Sequence, residues 1–397
     1  MTDEDLHTPP LTNLSEEEEL LRANVQIFAK KEISPLVRQM DETASIPRDL
    51  IEQLFSLGLM GIEVPDQYGG ANGYFFLSIL AVEQLARVDP SIAVMVDVQN
   101  TLVINAIKRW GSEHIQKTFL PVLASKAIGA YALSEVGSGS DAFSLTSQAM
   151  RDGDSYILTG QKAWITNALE ADVFIVFANE NPTAGHRGIT AFLVERSTPG
   201  LSIGKKEDKL GIRASSTCQV ILDECRVPIS NILGTSGKGY KVAIETLNEG
   251  RIGIAAQMVG LAQGALDNAL LYVQERQQFG KKLSEFQGIQ FQLAQAATEL
   301  EAARLMTYNA ARLHDSNKAF LTEGSMAKLF TSQVAERVAS LAVQLLGGVG
   351  YTKDYPVEKF YRDAKIGQIY EGTSNLQLQT IAKQVLKNSS KQPKYET

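Results

Sequence analysis

No proline interrupts the chain between Pro228 and Pro356, and alanine- and leucine-rich stretches fill that gap. A proline in a helix interior costs about 3 kcal/mol, so its absence over this span leaves long helices free to form. Apolar residues recur there at helical spacing. Val334, Val338, Leu341 and Leu345 make one stripe, and Leu266, Leu270 and Val273 another. Such stripes have to be covered, which predicts several long helices packed against each other.

The chain before residue 129 is also helical in pattern, but punctuated. Ser15 followed by Glu18 is a capping-box signature, and Glu16 to Glu19 suit a helix N-terminus. Leu50, Ile51, Leu54 and Leu57 recur at helical spacing. So do Leu77, Ala81, Leu85 and Val88, with Glu83 and Arg87 expected to pair on a more polar face. Pro65, Gly69–Gly70 and Pro90 break the pattern. Near residue 129 the texture changes. YILTGQKAWIT, ADVFIVFAN and GITAFLVER are short β-branched and aromatic runs, with turns at Asp152–Gly153 and Pro199–Gly200, ending near RVPISNILG. Helices, then strands, then helices predict an α+β multidomain chain rather than a βαβ alternation. The expected order is a loose tail over 1–13 carrying Pro9–Pro10, a helical domain over 14–128, a β domain over 129–240 and a helical domain over 241–397.

Composition narrows the function. A length of 397 residues exceeds what one core needs. A formal net charge of -7 argues against a nucleic-acid partner read through its phosphates. Two cysteines, Cys218 and Cys225, exclude a disulfide framework and fit a reducing compartment. His7, His114, His186 and His314 are too scattered for zinc and read as surface or packing residues. No apolar run looks long enough to span a bilayer. The acidic start MTDEDLHTPP resembles neither a secretory signal nor an Arg-rich transit peptide.

Three glycine-rich segments, EVGSGSD (135–141), TSGKGY (235–240) and LLGGVGY (345–351), lack the G-x-G-x-x-G spacing of a nicotinamide site. Each reads as a loop whose backbone N–H groups could still hold an oxygen-rich group. Glu371 differs from the other carboxylates in context. It lies in QIYEGTSN, between Ile369–Tyr370 and Gly372–Thr373–Ser374. From residue types alone it is either a turn or capping glutamate, or a reactive carboxylate on a small-residue turn.

Six segments in order carry a resemblance. They are YALSEVGSGSD (131–141), GQKAWITN (160–167), LNEGRIGIAAQMVGLAQGALD (247–267), ERQQFGKKLSEFQ (275–287), QLLGGVGY (344–351) and RDAKIGQIYEGTSN (362–375). Together they resemble the acyl-CoA dehydrogenase family from about residue 14 to residue 385. KLGIRASSTC (209–218) and KDYPVEKFYRDAKIGQIYEGTSN (353–375) look most like its short/branched-chain members, such as those acting on 2-methylbutyryl-CoA. The resemblance implies an N-terminal helical domain, a middle β-barrel or sandwich domain and a C-terminal four-helix bundle.

The resemblance also implies FAD as cofactor and assigns residues to it. Tyr131, Leu133, Ser134, Gly139 and Ser140 look like the contact strand and loop, and Trp164, Ile165 and Thr166 would flank the isoalloxazine. Trp164 could equally be a packing aromatic within a strand. Arg276, Phe279 and Gln287 resemble the adenosine and pyrophosphate contacts, where an arginine matches phosphate geometry. Gln344, Gly347 and Gly348 would reach the flavin of a neighbouring subunit. Thr373 and Asn375 would follow the catalytic turn, Asn375 standing where many relatives carry Glu or Gln. For acyl-CoA the resemblance implicates Ser140, Tyr240, Asn248, Glu249, Gly250 and Arg251, and a helix would set Asn248 and Arg251 on one face. Glu249 alone also reads as an exposed charge on a long helix.

The implied reaction is α,β-desaturation of a short or branched acyl-CoA to the 2-enoyl-CoA. Glu371 would take the α-proton, flavin the β-hydride, and an electron-transferring flavoprotein the electrons. Some family members place the base instead on the first C-terminal helix, just before the arginine. That position is Gly250 here, which leaves Glu371. A homotetramer arranged as a dimer of dimers is expected. So is a mitochondrial matrix location if the source is eukaryotic, or a cytoplasmic one if bacterial. An oxygen-using acyl-CoA oxidase and an inactive acyl-CoA-binding scaffold are the alternatives.

Overall fold

The computed structural model describes residues 10–389, so His7 and most of both polar tails lie outside them. Helices come first: α1 (Glu16–Phe28), α2 (Val37–Thr43), α3 (Arg48–Ser56), α4 (Phe75–Ala86), α5 (Pro90–Asp97), α6 (Asn105–Trp110) and α7 (Glu113–Ser125). Ser15 caps α1 as expected: its Oγ accepts from the Glu18 N–H, and Glu18 returns the bond to the Ser15 N–H. Leu50, Ile51 and Leu54 are buried on α3, while Leu57 caps the helix and is exposed.

Helix α4 corrects the polar-face expectation. All twelve of its residues are buried, because α1, α8 and α9 surround it. Glu83 and Arg87 do not pair. Glu83 turns to Arg304 at 3.0 Å and accepts from the Tyr308 hydroxyl at 2.9 Å, while Arg87 reaches Asp267 at 2.5 Å. The stretch Pro90–Trp110 is a second surprise. With a mean hydropathy of 1.2 it is long and apolar enough to cross a membrane, yet it is buried within the protein up to Ile107, with only its last turn reaching the surface. A π-helical turn over Val98–Ile104 joins α5 to α6. Its buried amides are satisfied: Gln99 bonds the Leu123 and Ala127 carbonyls and Asn100 those of Leu59 and Val96.

Eight strands follow: β1 (Gly129–Ala132), β2 (Gln148–Asp152), β3 (Ser155–Thr166), β4 (Val173–Asn179), β5 (Ile189–Glu195), β6 (Leu201–Lys206), β7 (Thr217–Pro228) and β8 (Ile232–Leu233). They form one sheet in the order β6-β7-β3-β2-β4-β5-β8, with β1 parallel to the first half of β4. β4 is buried on both faces, which explains its unbroken apolar run. Val173, Ile175 and Phe177 face the N-terminal helices, and Phe174, Val176 and Ala178 face a core shared with β3 and β7.

The proline-free span delivers its helices: α8 (Gly239–Glu275), α9 (Gln287–Asp315) and α10 (Leu321–Leu346), then α11 (Val357–Ala364) and α12 (Ser374–Ser389). A small hairpin of β9 (Gln277–Gln278) and β10 (Lys281–Lys282) links α8 to α9. α10 packs against α8, α9, α11 and α12. α8 is the axle of the molecule. A Cβ at Gly260 would stand 2.0 Å from the Glu83 carbonyl oxygen, and one at Gly253 1.9 Å from Asp97 Oδ1. Glycine at these points lets α8 lie directly on α4 and α5.

Candidate active site

Glu371 sits in the turn between α11 and α12 with φ 51°, followed by Gly372 at φ 89°. A non-glycine residue in this region costs about 1–3 kcal/mol and persists only where its surroundings hold it. Here they do. Lys328 Nζ donates to the Gly372 carbonyl at 2.6 Å, and Gln377 Nε2 donates to the same oxygen at 2.9 Å. The Thr373 hydroxyl accepts from the Leu376 N–H at the start of α12. The turn so held drives the Glu371 side chain against α8. A Cβ on Gly250 would lie 3.2 Å from Glu371 Oε2 and 2.7 Å from Leu102 Cδ2. The two positions from which a base could come therefore face one point, and only Glu371 has a carboxylate there.

Glu371 Oε2 is sealed from solvent and has no hydrogen-bond partner. Burial pushes its pKa up to about 7, against the opposing pull of the Lys328 and Arg251 cations. Asp97 of α5, set against Gly253 one turn along α8, is buried, and among the described residues its carboxyl accepts only from the Thr101 hydroxyl, at 2.9 Å. Burial, and then the Glu371 charge, holds it well above the usual carboxylate range. The Tyr370 hydroxyl bonds Gln257, and Gln257 donates to the Pro90 carbonyl at 2.7 Å, which ties the turn to α5 through α8.

The neighbours on α8 behave as their spacing suggests, with one correction. Arg251 Nη1 donates to Asn248 Oδ1 at 3.0 Å and to the Ser325 hydroxyl at 3.3 Å, leaving Nε buried and unpartnered. Glu249 is not an exposed charge. It is completely buried, with Oε1 bonded to Arg109 and to His314 Nε2 at 2.9 Å. His314 is correspondingly more than a scattered histidine. Burial works against its charge, but Asp315 and Glu249 together raise its pKa to about 9. The Tyr131 and Thr246 hydroxyls nearby are buried without partners.

A second group gathers on the sheet. The Ala163 N–H bonds the Ser134 carbonyl at 2.9 Å, joining the end of β1 to β3. Between Lys162 and Ile165 the register with β7 shifts, and Trp164 takes φ 63°. This bulge breaks the in–out alternation and turns Trp164 outward, 59% exposed. Within this chain Trp164 is thus not a packing aromatic. Tyr131, Leu133 and Ile165 are buried, while Ser134 and Thr166 are partly open. The loop carrying Gly139 and Ser140, both exposed, is anchored by Glu135, which pairs with the buried Lys162 at 2.7 Å and accepts from the Thr146 and Ser147 N–H groups.

The remaining expected residues divide between the hairpin, the end of α10, the start of α12 and the start of α8. Arg276, Phe279 and Gln287 are exposed around the β9–β10 hairpin, Phe279 being 94% exposed with φ 53°. Gln344, Gly347 and Gly348 are exposed at the end of α10. Thr373 and exposed Asn375 begin α12, and Tyr240 stacks edge-on with His186, ring centres 4.8 Å apart. Among the described residues, no hydrogen bond or ion pair joins the hairpin or α10-end residues to the Glu371 or Trp164 groups. Nothing in the sequence marks Lys328, Arg109 or Gln377, and His314 reads there as a surface or packing residue. Lys328 finds Gly372, and Arg109 and His314 find Glu249, far along the chain.

Models of the acyl-CoA dehydrogenase N-terminal, middle and C-terminal domains match residues 15–127, 130–225 and 237–386. The chain belongs to the acyl-CoA dehydrogenase family. It is accordingly an oxidoreductase. It is 58% identical over 383 residues to a probable short/branched chain specific acyl-CoA dehydrogenase of Dictyostelium discoideum, covering 96% of this chain and 93% of that one. The butyryl-CoA dehydrogenase structure from Megasphaera elsdenii superposes with a TM-score of 0.93 at 41% identity, covering 94% of this chain and 99% of that chain. A Mycobacterium smegmatis glutaryl-CoA dehydrogenase solved in complex with FADH2 gives a TM-score of 0.88 at 33% identity, covering 94% and 95%.

The Glu249–His314 contact has a measurable pH signature. A histidine whose folded pKa is raised from 6.5 to about 9 contributes stability that is fully present below 6.5 and lost as pH rises through 9. Glu249→Gln removes the charge partner. The gap in melting temperature between wild type and Glu249→Gln should be widest at about pH 6 and shrink as pH rises through about 9, down to the part that the Arg109 ion pair sustains at every pH. A gap independent of pH would mean that His314 carries no such charge.

Proposed function

We propose that this protein dehydrogenates short and branched acyl-CoA thioesters at the α,β positions, with Glu371 as the base and FAD as the resident cofactor. The observation that carries the reading is the sealed Glu371 carboxylate, titrating about 7 at the point Gly250 leaves open. A thioester α-proton is weakly acidic, and a carboxylate raised to about 7 is a stronger acceptor, ionised in about half the molecules at neutral pH and in more of them above it. Its unpartnered Oε2 has no competing donor. The held φ of Glu371 fixes the direction in which its side chain leaves the turn.

The residues fit a large aromatic and anionic ligand. Trp164 and Phe279 stand exposed in left-handed backbone conformations, and the Tyr131 and Thr246 hydroxyls and Arg251 Nε lack partners. Bound FAD supplies the acceptor for the β-hydrogen. Tyr131, Leu133, Ser134, Gly139, Ser140, Trp164, Ile165, Thr166, Thr373 and Asn375 would hold its ring end. Arg276, Phe279 and Gln287 would hold the adenosine and pyrophosphate, and Gln344, Gly347 and Gly348 would reach the cofactor of a neighbouring subunit. Among the described residues no hydrogen bond or ion pair joins the last six to the Glu371 and Trp164 groups, which fits a site shared between the chains of a homotetramer. Ser140, Tyr240, Asn248 and Arg251 would bind acyl-CoA around Gly250. Glu249 would join them through Oε2, which is buried and unpartnered, since Arg109 and His314 hold Oε1. Electrons would leave to an electron-transferring flavoprotein.

Three outcomes are expected. Glu371→Gln should retain flavin and bind acyl-CoA yet lose anaerobic bleaching by several orders of magnitude, because an amide cannot accept the proton; near wild-type bleaching would refute the base. In a panel of acyl-CoAs, 2-methylbutyryl-CoA should rank among the highest kcat/KM values, with butyryl- and hexanoyl-CoA close, since a pocket discriminates one methylene by only about 1–3 kcal/mol. A long-chain optimum would overturn the substrate class. Light scattering of the flavin-loaded protein should give the mass of four chains, and a monomer holding flavin would contradict the shared site.

A further inference from the structure

Lys328 is a buried cation without a paired anion. Its residue exposure is 0%, and among the described residues no carboxylate lies within ion-pair distance of Nζ. Burying an ammonium is costly unless it is compensated. The compensation here comes from the turn that carries Glu371: Nζ donates to the Gly372 carbonyl at 2.6 Å, beside the charge of the glutamate itself. Ser325, one turn earlier on α10, holds the Arg251 guanidinium at 3.3 Å. One face of α10 thus controls both cations that face the base. Gln377 grips the same Gly372 carbonyl from α12, but as a neutral amide.

We propose that Lys328 is a positioning residue for α-proton removal: it pins the Gly372 carbonyl and keeps a positive charge next to the Glu371 carboxylate. The proposal rests on Glu371 being the base. The titratable and charged groups facing Glu371 are Lys328 from α10, Arg251 from α8, Asp97 from the end of α5, Tyr370 from its own turn and Tyr131 from β1. Burial keeps Asp97 and both tyrosines neutral, which leaves the two cations to set the charge balance at Glu371. Burial also lowers the Lys328 ammonium to about 8, so its support of the carboxylate fades in alkali.

The sign follows directly. Removing a nearby cation destabilises the carboxylate, raises its pKa and moves the acid limb of kcat/KM to higher pH. The test compares Lys328→Met, Lys328→Arg, Gln377→Leu and Glu371→Gln holoenzymes with wild type from about pH 5.5 to about pH 9, butyryl-CoA serving as the probe. Lys328→Met should move the limb up by about one pH unit, so that its rate deficit grows about tenfold from the plateau down to acid pH. Lys328→Arg should return the limb to the wild-type position. Gln377→Leu should lower the rate by one factor at every pH. The proposal is overturned if Lys328→Met parallels Gln377→Leu, or if Lys328→Arg shifts the limb as Met does. Should the Met protein fail to hold flavin, Lys328→Gln reads the same limb. If Glu371→Gln still reduces flavin, the base assignment itself fails. If it is inactive while the Lys328→Met limb stays put, only the role of Lys328 is lost.

Discussion

The close approach that Gly250 and Gly253 permit on α8 is the contact around which the other parts of the site are arranged. Three residues apart, they lie on one helix face about 4.5 Å from each other along the axis. Glu371 and Leu102 close over the first and Asp97 over the second. A methyl group at either point would meet an oxygen or a side-chain carbon inside contact distance. With glycine there, the turn after α11, the π-helical turn after α5 and the long helix α8 share one small volume. That volume excludes water from Glu371 Oε2, and exclusion of water is what raises the carboxylate to about 7.

The turn needs support from outside the helical bundle, and α11 provides it. Arg362 grips both oxygens of Asp41 in α2, at 3.2 and 2.8 Å, and the Leu210 carbonyl at 3.0 Å. Asp363 accepts from the Ile212 N–H at 2.5 Å and from Lys359 at 2.6 Å, while Lys359 also reaches Asp89, the N-cap of α5. Ile212 is β-branched with φ 40°, a conformation that survives only where partners impose it. The same loop continues to Ser216, whose carbonyl holds the Asn167 N–H just beyond Thr166. Two residues of α11 therefore tie the N-terminal helices and the strand bearing Trp164 to the start of the segment that ends in Glu371.

What the sequence reveals follows the range of the forces involved. Local ones are legible: the Ser15 cap, the strands around ADVFIVFAN, the proline-free helices and the shared face of Asn248 and Arg251 all depend on neighbours a few residues away. Readings fail where a distant residue decides. Glu83 leaves Arg87 for Arg304 and Tyr308, and Glu249 is buried because Arg109 and His314 come to it. For Trp164 the sequence leaves a flavin contact and strand packing both open until the bulge turns the ring outward, and no periodicity announces a π-helical turn at Val98–Ile104. Glu371 stands out by its setting among small and hydroxylic residues and by resemblance. Lys328 does not, since a lysine in a helix ordinarily faces solvent.

The central claim is that burial against α8 turns Glu371 into a base working near neutrality. The most direct measurement is the pH dependence of kcat/KM for a short acyl-CoA, which reports the ionisation of the free enzyme. With Glu371 as that base, the rate should rise through about 7 and then level, because below that value the carboxyl already holds the proton it must accept. A profile already level from about pH 5 upwards, as for a solvent-exposed carboxylate near its ordinary value, would contradict it.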